Sequence, residues 1–594
     1  MNTRSQEGNG TDSLLILGTV ACLLGLPGVT GAIALLILQR RIIPETWRVV
    51  SWLLVGLATL GGILGYVFLA NPWRLFPPIL DAVEGRQWLP ALLALKSQWL
   101  ASLWLAPAIR VLMQVFHTES PEQQVLHQAN AEQARAMVAS RRAAHRIGHQ
   151  DVPEVLQGHP VVGASVTGDL PAWVQGPWMT IPIGELRKPC VVVGESRAGK
   201  TTTLLRLAYL VVKVLGWHVI YIDCKGDEDL AVDFTASMLA AGLNQEDIRV
   251  FPYATYNAWK GDGAAIFNKL IGILRTPTTV SAGAEYYRDL LKLLLDLAIK
   301  ARPEPPRSSQ QLLSRMRLST LEALYNGKPE AADVEDMSKE AATGSRSRYR
   351  AFFGALNGKL DGHWSFEDAK ASYILLEGLG MREEAMSLGR FYVEEIAHYC
   401  TKRKPREEQV LCIIDDAGAL ELGRETAGLA ERLAGYGCYL YLSGQSFESL
   451  GPYAKQIVGA TTTRILHRAS DPEQITSRAG TRNQIQTSAQ VRNEQGATGA
   501  TTYQSREAPN VHPDTIKRLA TGEAVIIAHG HGHRVRVAQI LPDSEHVEAA
   551  QELLATMQQL YDPKTVQDIV GVKEEKTISS TSSGDGDGEP QRLD

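Results

Sequence analysis

Residues 190–201 read CVVVGESRAGKT, and residues 202–212 continue TTLLRLAYLVV. The first four are apolar and β-prone, the next eight match G-x-x-x-x-G-K-T, and the last eleven are mostly apolar at helical spacing. Strand, glycine-rich loop and helix in that order are the context a P-loop requires. Each residue type has a physical reason. Gly194 and Gly199 let the backbone wrap an anion with its N–H groups turned inward. The helix that follows points its positive end at the same place. Lys200 is the cation for the β- and γ-phosphates, and Thr201 offers a hydroxyl to a magnesium ion. The stretch Gly194, Glu195, Ser196, Arg197, Ala198, Gly199, Lys200, Thr201 and Thr202 is therefore the candidate ATP-binding segment.

Such a loop needs a partner acid. Residues 410–414 (VLCII) form an apolar run of the kind buried parallel strands show, and they end in Asp415 and Asp416. Asp415 reads as the metal-side acid, sharing Mg2+ with Thr201. Asp416 is placed to polarise an attacking water. Two more runs end similarly: 217–222 (WHVIYI) leads into DCKGD at 223–227, and 439–442 (YLYL) leads into SGQS at 443–446. Gln445 is the candidate contact for the γ-phosphate. Parallel strands joined by crossover helices line their loops along one carboxyl edge, so all four loops are expected at one site. The catalytic set is then Lys200, Asp415, Asp416 and Gln445.

These four segments in their order resemble the type IV secretion coupling proteins of the conjugative TraD/TraG type, which share a superfamily with the FtsK and HerA translocases. The matching pieces are GESRAGKT at 194–201, IDCKGDEDL at 222–230, IIDDAGAL at 413–420 and YLSGQSFESLG at 441–451, with VHPD at 511–514 further on. The resemblance implies an α/β, RecA-like P-loop NTPase with an inserted all-helical domain, preceded by transmembrane helices. It also implies a homohexameric ATP hydrolase. That motor would couple a relaxase–single-stranded DNA complex to the inner-membrane components of a secretion channel. Two departures stand out. Asp416 occupies the position where the family usually has Glu. No arginine is in register in the segment before the Gln445 strand, which leaves Arg432, Arg390 and Arg464 as candidates for an arginine supplied to a neighbour's phosphate. Delivery of protein effectors, and an ATP-controlled scaffold without transport, remain alternatives to DNA transfer.

Around this core the chain of 594 residues divides into several units. Residues 1–116 contain uncharged runs at 13–38, 49–69 and a weaker one at 88–108 interrupted by Lys96. Runs of about 20 apolar residues span a bilayer, so two or three membrane helices are expected. The basic residues Arg40, Arg41 and Arg48 between the first two favour that loop inside. This makes the expected location the bacterial inner membrane, multi-pass, with the large domain cytoplasmic and the lipid bilayer as a partner. Residues 117–154 read as a helical linker, 155–275 and 366–545 as the two parts of the nucleotide-binding domain, and 276–365 as the helical insertion. Residues 546–594 read as a final helix and an acidic tail (SSTSSGDGDGEP at 579–590) unable to bury a core.

The net charge of −5 announces no nucleic-acid binder and excludes no basic channel. The six cysteines contain no C-x-x-C pair and read as buried, reduced thiols. His529, His531 and His533 alternate with glycines, which favours a hairpin turn over a metal site.

Overall fold

The computed structural model describes residues 121–168, 173–273, 282–376, 382–403, 408–420, 424–451, 453–489 and 501–560. The chain forms two compact units, Met1–Ala131 and Glu132–Asp594. Every strand described below belongs to the second.

That unit is an α/β structure built on one large sheet. Seven parallel strands form its core. In chain order they are β1 (Cys190–Val193), β2 (His218–Asp223), β3 (Ile248–Phe251), β4 (Ala371–Leu375), β5 (Val410–Asp415), β6 (Cys438–Gly444) and β7 (Thr463–Leu466). Their spatial order is β7-β1-β6-β5-β2-β4-β3. Strands β1, β4, β5, β6 and β7 are buried along their whole length. Helices cover such a sheet on both faces, and only near-continuous Val, Ile and Leu runs suit that position. The antiparallel hairpin β8 (Glu523–Ala528) and β9 (His531–Val537) extends the sheet beyond β7, and residues 155–180 add four further antiparallel strands.

Helix α1 (Lys200–Leu215) shows why the sequence folds as it does here. Leu204, Leu207, Ala208, Leu210 and Val211 are buried, and each of the Leu and Val side chains contributes about 1.5–3 kcal/mol relative to exposure. The helix stops at Gly216 in the left-handed conformation, whose N–H returns to the Val211 and Val212 carbonyls. Beneath the sheet Tyr221, Phe234 and Tyr373 pack with ring centroids 5.1–5.8 Å apart.

Between β3 and β4 the described residues form helices and no named strand: Gly263–Gly272, Ala282–Lys300, Ser309–Arg315, Leu318–Tyr325, Ala331–Glu335 and Lys339–Leu356. The three histidines fall at the β8–β9 hairpin. His529 and Gly530 turn the chain at positive φ, and the His533 Nε2 lies 2.8 Å from the Ser165 hydroxyl.

The expected membrane location is corrected. No helix among the described residues is long and apolar enough to cross a membrane. The physical reason is composition. The 29-residue helix Pro121–His149 carries Arg135, Arg141, Arg142 and Arg146. The apolar α1 has 16 residues, short of the roughly 20 that a bilayer demands. The runs at 13–38, 49–69 and 88–108 lie outside the described residues, as does the acidic tail.

Candidate nucleotide site

The register of the parallel strands builds the site. Val193 pairs with Gly444 on one side and Leu466 on the other, and Asp223 pairs with Asp415. The carboxyl ends of β7, β1, β6, β5 and β2 therefore form one continuous edge. The loops carrying the P-loop, Asp223, Asp415, Asp416 and Gln445 all leave from it, as the strand pattern leads one to expect.

The P-loop is held open from below. Gly194 donates its N–H to the Gly444 carbonyl at 3.2 Å, and Glu195 donates to the Arg468 carbonyl at 2.7 Å. A β-carbon on Gly194 would sit 2.5 Å from the His467 β-carbon. Gly199 adopts φ +113°, and its β-carbon would stand 3.0 Å from the Gly522 α-carbon. Both glycines are thus required by close approach, and Gly199 by backbone freedom as well. Ala198 is buried and its carbonyl accepts from the Gly522 N–H at 3.0 Å. Ser196 and Arg197 form the exposed rim, with Arg197 at positive φ. Thr201 and Thr202 open α1, half-buried.

Lys200 is buried. Its ammonium donates to the Gly194 carbonyl at 2.6 Å and the Glu195 carbonyl at 3.0 Å. Burial pulls its pKa below the usual lysine value, with the nearby Asp416 working against that pull.

Beside it the Thr201 hydroxyl donates to Asp415 Oδ2 at 3.0 Å. Asp415 is fully buried. The Tyr221 hydroxyl reaches the same Oδ2 at 3.1 Å, and the Ser443 hydroxyl donates to Oδ1. Ser443 Oγ in turn accepts from the Asp416 N–H at 2.9 Å. Asp416 stands at φ 54°, a conformation that Asp tolerates better than most residues. Its Oδ1 is buried with no hydrogen-bond partner.

The residue facing both acids is Lys225, whose ammonium lies 3.2 Å from Asp416 Oδ2 and 3.8 Å from Asp415 Oδ2. Burial lowers its pKa, but Asp415 and Asp416 outweigh that and leave it raised. Asp223, which begins the same loop, does not face the site. Its carboxylate accepts from the Lys225 and Asp227 N–H groups at 2.9 and 2.7 Å and from the Tyr373 hydroxyl at 3.1 Å, shaping the loop that presents Lys225.

Gln445 directly follows Gly444, the last residue of β6, which lies beside β1, and is exposed. Of the candidate arginines, Arg464 is buried, and its Nη2 donates to the Val458 and Thr461 carbonyls. It is bound into its own loop and does not present a free guanidinium to a neighbour.

Sequence reasoning missed four participants: Ser443, Tyr221, His467 and Arg468. His467 is fully buried between the P-loop and β8. Its Nδ1 donates to the Glu523 carbonyl and its Nε2 accepts from the Thr203 hydroxyl, each at 2.9 Å. Burial holds it down at about 4. Arg468 pairs with Glu195 of the P-loop at 3.2 Å. A polar pair after the apolar run ending at Leu466 was the available signal.

No family model matches the chain, and no curated protein matches it. Solved structures do. One is the conjugative coupling protein TrwBdeltaN70 in its unbound monoclinic form, with TM-score 0.49 and 14% identity, covering 66% of this chain and 98% of that one. A second is the plasmid coupling protein TrwB in complex with ADP and Mg2+, with TM-score 0.46 and 14% identity, covering 66% and 97%. A third is VirB4 of Thermoanaerobacter pseudethanolicus, with TM-score 0.43 and 12% identity, covering 66% and 99%. In structure the chain is thus similar to the coupling protein TrwB and to VirB4.

Proposed function

We propose that this protein is a P-loop ATPase that serves as the coupling protein of a conjugative type IV secretion system. It would work as a homohexamer that engages a relaxase–single-stranded DNA complex and drives its transfer with ATP. One observation carries the enzymatic part: the Thr201 hydroxyl and the buried Asp415 carboxylate meet at 3.0 Å under the P-loop. Hydroxyl and carboxylate oxygens are the hard donors that Mg2+ takes, so this pair fits the ion. Bound there, Mg2+ would neutralise phosphate charge.

The protein's own groups do the rest. Lys200 and P-loop amides other than those of Gly194, Glu195 and Ala198, which donate to protein carbonyls, hold the phosphates, and Lys200 exchanges its loop carbonyls for phosphate oxygens. Asp416, with a buried oxygen free of other hydrogen bonds, orients and deprotonates the attacking water. Gln445 contacts the γ-phosphate from the next strand. Ser443 holds Asp415 and Asp416 in register. The DNA-transfer part rests on the ordered motifs of the coupling proteins.

A second reading, an ATP-controlled scaffold with negligible turnover, is favoured by Asp416 itself. It is one methylene shorter than the usual Glu, and Lys225 already pairs with it at 3.2 Å. Steady-state ATP hydrolysis with and without single-stranded DNA decides between them, with Lys200→Ala as control. Turnover that rises with DNA and vanishes in the control is expected. ATP binding without turnover under either condition would sink the motor reading in favour of the scaffold.

A further inference from the structure

The fold gathers three cysteines that are far apart in the sequence. Cys412 lies in β5, Cys438 opens β6, and Cys400 belongs to the last turns of helix Arg382–Lys402. All three are fully buried, and their sulfurs lie within 4.8 Å of one another. Cys412 Sγ and Cys438 Sγ are 3.2 Å apart. The cluster sits toward the amino ends of β5 and β6, whereas the nucleotide site is built at their carboxyl ends.

Register decides what this cluster suits. Cys438 pairs with Val410, and Cys412 with Leu440, so the two cysteines are offset by two residues on neighbouring strands. On parallel strands about 4.8 Å apart with a rise of about 3.3 Å per residue, that offset puts the α-carbons about 8 Å apart, beyond the roughly 4.4–6.8 Å that a disulfide accepts. Oxidation would require slippage in the middle of a buried sheet. A shared metal ion asks for less. Metal–sulfur bonds of about 2.3 Å place three sulfurs around one ion about 4.0 Å apart, within the 4.8 Å span of the cluster, and only the 3.2 Å contact between Cys412 and Cys438 must widen by side-chain rotation to admit the ion.

The donor set narrows the ion. Among the described residues no fourth histidine, cysteine or carboxylate joins the group. Structural zinc is almost always tetrahedral with four ligands, and soft thiolates select Cu(I) as well. Arg403, three residues beyond Cys400, has a side chain only 7% exposed and pairs with Glu408. Cys190 is buried apart from the cluster.

We propose that Cys400, Cys412 and Cys438 form a binding site for one soft, low-coordinate metal ion of the Cu(I) class, which ties helix Arg382–Lys402 to the two central strands. Binding exchanges S–H bonds for metal–sulfur bonds, releases the protons to solvent and changes no oxidation state.

The test uses the full-length, reduced chain loaded anaerobically with Cu(I). The metal is then stripped with a graded Cu(I) chelator, and bound copper is counted by elemental analysis. One ion per chain is expected. Cys400→Ser, checked for folding by circular dichroism, should lower the affinity by more than about 10-fold, and Cys190→Ala should leave it unchanged. Equal retention by wild type and Cys400→Ser, or no retention by wild type, overturns the site. X-ray absorption of the loaded wild type decides independently of any variant. Three sulfurs at about 2.3 Å support the proposal, and nitrogen or oxygen ligation overturns it. Zinc displacing Cu(I) at equal concentration overturns the low-coordinate assignment.

Discussion

Two lysines divide the positive charge of the site. Lys200 rests on the Gly194 and Glu195 carbonyls, and Lys225 on Asp415 and Asp416. In the proposed mechanism the first moves onto phosphate, while the second balances the two acids. Lys200→Ala should lower ATP turnover by about 100-fold or more, the loss typical of removing one preorganised donor to developing charge, with the melting temperature nearly unchanged. Asp416→Asn keeps the size of the side chain and removes the base. It should lower kcat by about 100-fold or more while ATP still binds in a direct titration. Equal loss of binding in that variant would assign Asp416 to the metal rather than to the water.

At the scale of elements, the P-loop stands on β7 and β8 as much as on its own strand. Gly194→Ala drives a methyl into His467, 2.5 Å away. The loop must shift, so nucleotide affinity should fall together with a stability loss of about 1–3 kcal/mol, read by titration and by denaturant melts. His467 makes the same support sensitive to acid. Its folded value lies near 4 against an ordinary 6.5. Between those values the unfolded chain binds the proton and the folded one does not, so stability falls as pH drops from about 6.5 toward 4. The full effect is about 3 kcal/mol. His467→Gln should flatten that part of the stability–pH curve while lowering stability at neutral pH. A curve unchanged by the substitution would remove His467 as the cause.

For the whole molecule, the proposed motor predicts sequence-independent binding to single-stranded DNA that weakens steeply with salt, because phosphate contacts release counterions. ATPase stimulation by DNA should fade over the same salt range. Stimulation by a protein signal with no DNA effect would instead assign the motor to protein delivery.

Much of this was legible in the chain because it is local. A P-loop is contiguous, so GESRAGKT at 194–201 carries its own geometry. Apolar runs ending in polar residues mark parallel strands whose carboxyl ends must share an edge. That rule marked Asp415 and Gln445 as candidates; Asp415 closes β5, and Gln445 follows the last residue of β6. The sequence by itself determined the α/β class, the glycine-rich loop between β1 and α1, and the acid that ends β5. Long-range pairing decided the rest. Lys225 meets Asp416 from 191 residues away in sequence, His467 reaches Thr203 from 264 residues away, and Cys400, Cys412 and Cys438 converge only when helix Arg382–Lys402 packs on the sheet. No periodicity records such contacts. They follow from strand order and register, which are set by how the whole apolar core closes.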